Sequence, residues 1–332
     1  MPRARRRRPG QPRRGICRRA RVAGDDGEHH RGGPDEGDRG QVPQQRWTRG
    51  DEVTSRVEEI FAGLRREGRK GLIPFVTAGY PSLDATAAVI TAFEDAIGPT
   101  VVELGIPFSD PIADGAVIAA SMHEALKAGT TPQRVFDTVR RIRRETNHAL
   151  VAMVSASIVE RMGPERFVGE AREAGFDGLI VPDLDVSGEP GPLDELTARH
   201  EMSFTLLVAP NTPAERLGAI ATRCTGFVYV LARLGLTGEQ TAMPDVTDRV
   251  RAVRAVTDRP IAVGFGISTR GQVEAATEAA DAAIVGSAIV RRMGESADSG
   301  DPTRAAAAAA SLVAQLAANT DMSSGSGRSR PV

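Results

Sequence analysis

Eight times between residues 71 and 285 the chain enters a short, continuous apolar run, and each run gives way to a segment of helical periodicity. The runs are 71–77, one opening at Val102, 148–154, 178–181, 204–208, 226–231, 260–263 and 282–285. A strand with one wet face alternates apolar and polar residues. Parallel strands with helices over both faces are apolar throughout, as these runs are. Eight of them over a span of about 240 residues fit a (β/α)₈ TIM barrel. The competing architecture, a doubly wound open sheet, usually has fewer strands and a glycine-rich fingerprint after the first, which is absent here. An extra N-terminal helix is expected over 56–67, ending at Gly68, and Ser82 is placed to cap the helix after the first strand. Further helices are expected over 116–127, 132–144, 164–174, 193–200, 213–223, 246–256, 270–280, 287–293 and 303–316.

The ends read differently. Residues 1–50 hold 14 arginines against 6 acidic residues, interleaved with Pro and Gly, and almost nothing that packs. They are expected to be a disordered extension, or read-through from an upstream start codon. Residues 319–332, rich in Ser and Gly, are expected to be a disordered tail, so that the barrel domain occupies 51–318. The formal net charge of −1 therefore divides into +8 for 1–50 and −9 for the remainder. An acidic body argues against a nucleic-acid enzyme. No apolar run approaches the ~20 residues that span a bilayer, and no apolar central run marks a secretory signal. Cys17 and Cys224 are too far apart and too few for a disulfide framework or a zinc site. A reducing cytoplasm suits that usage.

The second run carries the chemistry. Glu103 interrupts it, and the loop beyond, through Pro107 and Pro111, bears Asp110 and Asp114. A carboxylate in an apolar strand is costly unless paired or protonated. Two carboxylates in different surroundings can divide acid and base roles. Glu103 as a purely structural acid under a rigid turn remains the alternative. In a barrel of this kind the active site lies at the C-terminal ends of the strands. Gly264-Phe265-Gly266 follows the seventh run, and Gly286-Ser287 follows the eighth and opens a helix. Glycines allow close backbone approach to an anion, and a helix start offers free N–H groups to phosphate. The alternative is that they only make tight turns. Arg233 to Glu239, with Gly235 and Gly238, suits a lid or a plain surface loop. Tyr229, just before it, lines a pocket or merely packs.

Glu103-Leu104-Gly105-Ile106-Pro107-Phe108-Ser109-Asp110-Pro111-Ile112-Ala113-Asp114-Gly115 closely resembles the signature of the tryptophan synthase alpha chain family. The likeness extends to 74–81, 179–184, 235–238, 264–268 and 286–290, in order, and covers about residues 53–295. The resemblance implies retro-aldol cleavage of indole-3-glycerol phosphate to indole and glyceraldehyde 3-phosphate. It makes Glu103 the acid–base group and Asp114 the carboxylate that holds the indole N–H, with Thr237 and Gly238 on the closing loop. Phe75 and Tyr229 would line the indole slot, and Gly264, Phe265, Gly266, Gly286 and Ser287 would surround the phosphate. It implies no metal and no organic cofactor. Pyridoxal phosphate belongs to the beta chain partner, met through Pro107, Asp110, Pro111, Ser157 and Asp185 in an α2β2 tetramer.

The chain departs from the family pattern after the second, third and fourth runs. Ser155 stands for a tyrosine and Ser157 for an asparagine, Asp185 for a proline, and Ala116 and Ala119 for Pro and Gln. These changes touch the pocket edge and the partner face, which puts efficiency and coupling in question more than the reaction class. Two other readings stay open: a stand-alone lyase that releases free indole, and a non-catalytic regulatory subunit. Retention of both carboxylates argues against the second.

Overall fold

Ser55 opens the described chain with a capping box. Its hydroxyl accepts from the Glu58 N–H, and the Glu58 carboxylate accepts from the Ser55 N–H at 3.1 Å. The helix so begun, α1 (Arg56–Arg66), turns Val57 and Phe61 toward the strand starts, where the Phe61 and Phe227 rings stand 5.7 Å apart. Arg259 binds Glu58 at 2.6 Å and ties α1 to the chain ahead of a later strand. The computed structural model describes residues 55–110, 115–186, 190–233, 245–264, 266–296 and 300–317. The expected extension 1–50 and tail 319–332 lie outside these residues.

The strands are β1 (Gly71–Thr77), β2 (Val101–Gly105), β3 (Ala149–Met153), β4 (Gly178–Ile180), β5 (Ser203–Thr205), β6 (Leu207–Val208), β7 (Val228–Leu231), β8 (Ile261–Gly264) and β9 (Ala282–Val285). All neighbouring pairs are parallel, in the order β5-β4-β3-β2-β1-β9-β8-β7-β6. The sheet's two ends are successive pieces of one chain segment, so it is a nearly closed barrel of eight staves, the expected TIM barrel.

One expected strand is corrected. The single run 204–208 divides at Leu206, because its two halves serve different neighbours. Thr205 is in register with Ile180 of β4, whereas Leu207 is in register with Tyr229 of β7. Between them the Leu206 N–H turns to Cys224 Sγ at 3.3 Å.

Side chains alternate between two cores. Leu72, Val76, Val102, Leu104, Leu150, Leu179, Phe204, Leu206, Val228 and Val263 face the helices. Ile73, Val101, Val151, Ile180, Tyr229, Ala262 and Ile284 face the barrel interior. The outer set explains why the runs are apolar throughout.

The covering helices are α2 (Leu83–Ile97), α3 (Ala116–Lys127), α4 (Pro132–Ile142), α5 (Ala156–Met162), α6 (Pro164–Ala174), α7 (Pro192–Arg199), α8 (Ala214–Arg223), α9 (Thr247–Arg254), α10 (Arg270–Ala279), α11 (Ser287–Gly294) and α12 (Pro302–Ala317). Ser82 caps α2 as expected, accepting from Ala85 N–H. Alanine-rich α12 packs against α2, burying Ala305, Ala309, Val313 and Leu316. No described helix is long and apolar enough to cross a membrane.

Candidate active site

β2 carries Glu103 into the barrel. Val102 and Leu104 on either side face outward and Val101 faces inward, so the pleat turns Glu103 inward. The residue is 1% exposed. Its register partners are Phe75 on β1 and Val151 on β3. The carboxyl is therefore set between apolar staves, where an ionised oxygen is poorly solvated.

Phe75 sits beside it because two glycines make room. A Cβ at Gly105 would lie 2.6 Å from Phe75 Cζ, and one at Gly286 would lie 3.3 Å from Phe75 Cδ1. The ring joins Ile118, Met122 and Val290 in an apolar cluster at the C-terminal ends of the strands, with Tyr80, Val117 and Met153 at its margin. Thr77 Oγ1 and Ser121 Oγ, 2.7 Å apart, hold α3 against β1 beside that cluster. Burial, and then the charge of Glu124, raise the pKa of the Tyr80 phenol, which stays neutral at physiological pH.

Tyr229 faces inward on β7 and is 5% exposed. Any Cβ at Gly264 would collide with its ring and hydroxyl. Gly264, which sequence groups with the anion-binding loop, thus has a packing reason of its own. Gly266 has φ +79, a left-handed conformation that favours glycine. Beyond it, the Ser268 and Thr269 N–H groups both donate to Gln272 Oε1, so the start of α10 is satisfied internally.

The start of α11 is different. Gly286 precedes it with no side-chain cap, and the first helical bond runs from Val290 N–H to Gly286 O at 3.0 Å. The first-turn N–H groups, those of Ser287, Ala288 and Ile289, have no intrahelical acceptor. They follow β9 directly, at the same end of the barrel as Phe75. This turn is suited to an anion.

Among the residues assigned to the partner face, Asp110 and Asp185 are exposed and Pro107 is buried. Ser157 is exposed and belongs to a cluster that sequence reading did not anticipate. Ser155 Oγ donates to Asp183 Oδ2 at 2.7 Å and lies 2.9 Å from Ser157 Oγ, while Ala156 N–H donates to Asp183 Oδ1 at 2.8 Å. Asp183 thereby joins the loop after β4 to the start of α5. Asp114, Pro111, Thr237, Gly238 and Phe265 lie outside the described residues. Among the described residues no group of His, Cys, Asp or Glu side chains could hold a metal.

A family model described as tryptophan synthase alpha chain matches residues 61–321. A tryptophan synthase alpha chain from Synechococcus is 43% identical over 242 residues, 72% of this chain and 89% of that protein. One from Halorhodospira halophila is 44% identical over 243 residues, 73% of this chain and 88% of that protein. Among solved structures, Mycobacterium tuberculosis tryptophan synthase superposes with a TM-score of 0.71 at 32% identity, covering 80% of this chain and 99% of that one. The Legionella pneumophila tryptophan synthase subunit alpha gives 0.72 at 30% identity, covering 80% and 97%. The match in sequence spans the strands that carry Glu103, Phe75 and Tyr229 and the turn that opens α11, and the chain belongs to the tryptophan synthase alpha chain family.

Proposed function

We propose that this protein is a carbon–carbon lyase that cleaves indole-3-glycerol phosphate to indole and glyceraldehyde 3-phosphate. The observation that carries the reading is Glu103, an inward-facing carboxyl buried beside Phe75 in a chain of this family. Protonation of indole C3 makes the ring an electron sink. The side-chain hydroxyl then loses its proton, the bond from C3 breaks, and its electron pair returns to the ring as the aldehyde forms. Glu103 serves as the acid in the first step and as the base in the second. Asp114 holds the indole N–H and stabilises the positive charge that develops there. Thr237 and Gly238 belong to the loop that closes over the site.

Phe75 and Tyr229 bound the indole slot. The phosphate lies against Gly266, Gly286 and Ser287, with the uncapped first turn of α11 as its principal donor. The chemistry calls for no metal or organic cofactor in this chain. The partner is a beta chain, which holds pyridoxal phosphate and receives the indole in an α2β2 complex in the cytoplasm. The exposed Asp110 and Asp185 suit that face.

The test is Glu103→Gln, which keeps size and polarity but cannot transfer a proton. Indole release should fall by roughly 10²–10⁴-fold in kcat. Substrate binding should persist, because the phosphate donors are untouched. Turnover near the wild-type rate would refute the assignment. A lowered melting temperature with little kinetic change would return Glu103 to a structural role.

A further inference from the structure

The barrel interior holds a second polar group that the reaction above does not use. On the divided stave, Phe204 and Leu206 face the helices and Leu207 faces the interior. Ser203 and Thr205 alternate with them and so point inward. Both are buried, at 1% and 0% exposure, and neither hydroxyl has a hydrogen-bond partner among the described residues. Proteins satisfy nearly all buried hydroxyls, with protein groups or with ordered water. Ser203 is walled in: a Cβ at Gly226 would lie 3.1 Å from both Ser203 Oγ and Val57 Cγ1. Thr205 has Ile180, a side chain that cannot hydrogen-bond, as its register partner on β4.

The stagger of the strands brings Thr205 near the level of Glu103. The register line from Phe75 passes through Glu103, Val151 and Gly178 to Ser203. It runs from the fifth residue of β1 to the first residue of β5, so it descends toward the strand starts. In an eight-stave barrel of shear eight the descent is about one residue per strand. Three steps separate β2 from β5. The level of Glu103 on that stave is therefore about three residues above Ser203, at Leu206. The inward side chains flanking it are Thr205 just below and Leu207 just above.

We propose that Thr205 holds an ordered water in the barrel interior against the carboxyl of Glu103, and that it is a positioning residue for that carboxyl. The bridge orients one Glu103 oxygen downward and leaves the other toward the mouth, where the substrate's carbon and hydroxyl must be met in turn. A water can bond the Thr205 hydroxyl and the carboxyl at once, in a chamber lined mostly by apolar side chains. The positioning role rests on the acid–base assignment of Glu103; the water site does not.

Crystal structures of the wild type and of Thr205→Val, at a resolution that locates water, test the site directly. Kinetics on Thr205→Val and Thr205→Ser test the role. The wild type should show a water in hydrogen-bond reach of both Thr205 Oγ1 and Glu103, and Thr205→Val should lack it. Indole release by Thr205→Val should fall about tenfold in kcat with an unchanged KM, the mark of a misplaced catalytic group rather than a lost binding contact. Thr205→Ser should restore it. A dry Thr205 in the wild type overturns the proposal. So does Thr205→Val with wild-type kcat and a raised melting temperature, the outcome for a hydroxyl that is merely unsatisfied. A wild-type protein that releases no indole defeats the proposed reaction, and the water site is then decided by the two structures alone.

Discussion

At Gly264 one methyl group decides whether Tyr229 keeps its place. The glycine has no left-handed conformation to explain it; the space above its Cα is filled by the tyrosine ring. Gly264→Ala should therefore displace Tyr229, lower stability by about 1–3 kcal/mol as overpacking does, and raise KM for a substrate whose indole lies on that ring. Thermal melting and steady-state kinetics check both, and an unchanged melting temperature would show that the ring moves freely. Glu103 was legible in the sequence because a carboxylate inside an apolar run is conspicuous. The role of Gly264 was not, since nothing in the string says that residue 229 lies over residue 264. The same holds for Asp183 and Ser155, which meet only because β3 and β4 are neighbouring staves. Cys224 is a further case. Burial pushes its thiol up to about 12, although Leu206 and nearby arginines act the other way. Iodoacetamide at pH 8 should leave Cys224 unmodified in the native protein and alkylate it once the chain is unfolded, as peptide mass mapping would record.

Elements with strong punctuation were read to the residue. β1, β9, α3 and α6 have the bounds that their glycines, prolines and apolar periods imply. α5 was not foreseen, being seven residues long with one buried side chain and a cap made by Ser155. The division of β5 from β6 was also hidden, because it reflects pairing with two different neighbours rather than any break in the apolar run. Among the elements, α11 offers the clearest separation of binding from stability. A carboxylate at the first position of a helix favours the helix through its dipole, yet it would compete with a phosphate for the same N–H groups. Ser287→Glu should therefore leave the melting temperature unchanged or slightly raised, while KM for the phosphorylated substrate rises tenfold or more. An unchanged KM would move the phosphate elsewhere.

For the molecule as a whole, barrel closure was legible from eight apolar runs, each giving way to helical periodicity, whereas the ionic floor beneath the strands was not. There Arg143 donates to the carbonyls of Thr146 and His148, and reaches Asp177 at 3.2 Å. His148 is fully buried, and its Nδ1 accepts from the Thr100 N–H at 3.0 Å, so the ring is held neutral. Burial lowers its pKa from 6.5; Glu94 and backbone hydrogen bonds oppose this, and Arg143 adds to it. Well above pH 6.5 the ring is neutral in both native and unfolded chains, and contributes no pH dependence. As pH falls through 6.5 the unfolded chain takes up a proton that the native ring resists. Stability is therefore lost from about pH 6.5 downward until the lowered native pKa is reached. Two other floor groups titrate, and neither gives a loss of stability just below pH 6.5. Burial raises Asp177 despite its arginines, so protonation of the native form adds stability as pH falls through its raised value. Glu94 is held below its usual range: burial raises it, but hydrogen bonds from Thr146 and Asn147 outweigh that, and its contribution is lost only as pH falls through the lowered value. The fall in melting temperature just below pH 6.5 should thus belong to His148. His148→Gln keeps an acceptor for the Thr100 N–H and cannot titrate. Its melting temperature should be flat between about pH 7 and 6, where the wild type declines. A variant that declines in parallel with the wild type would assign that dependence to another group.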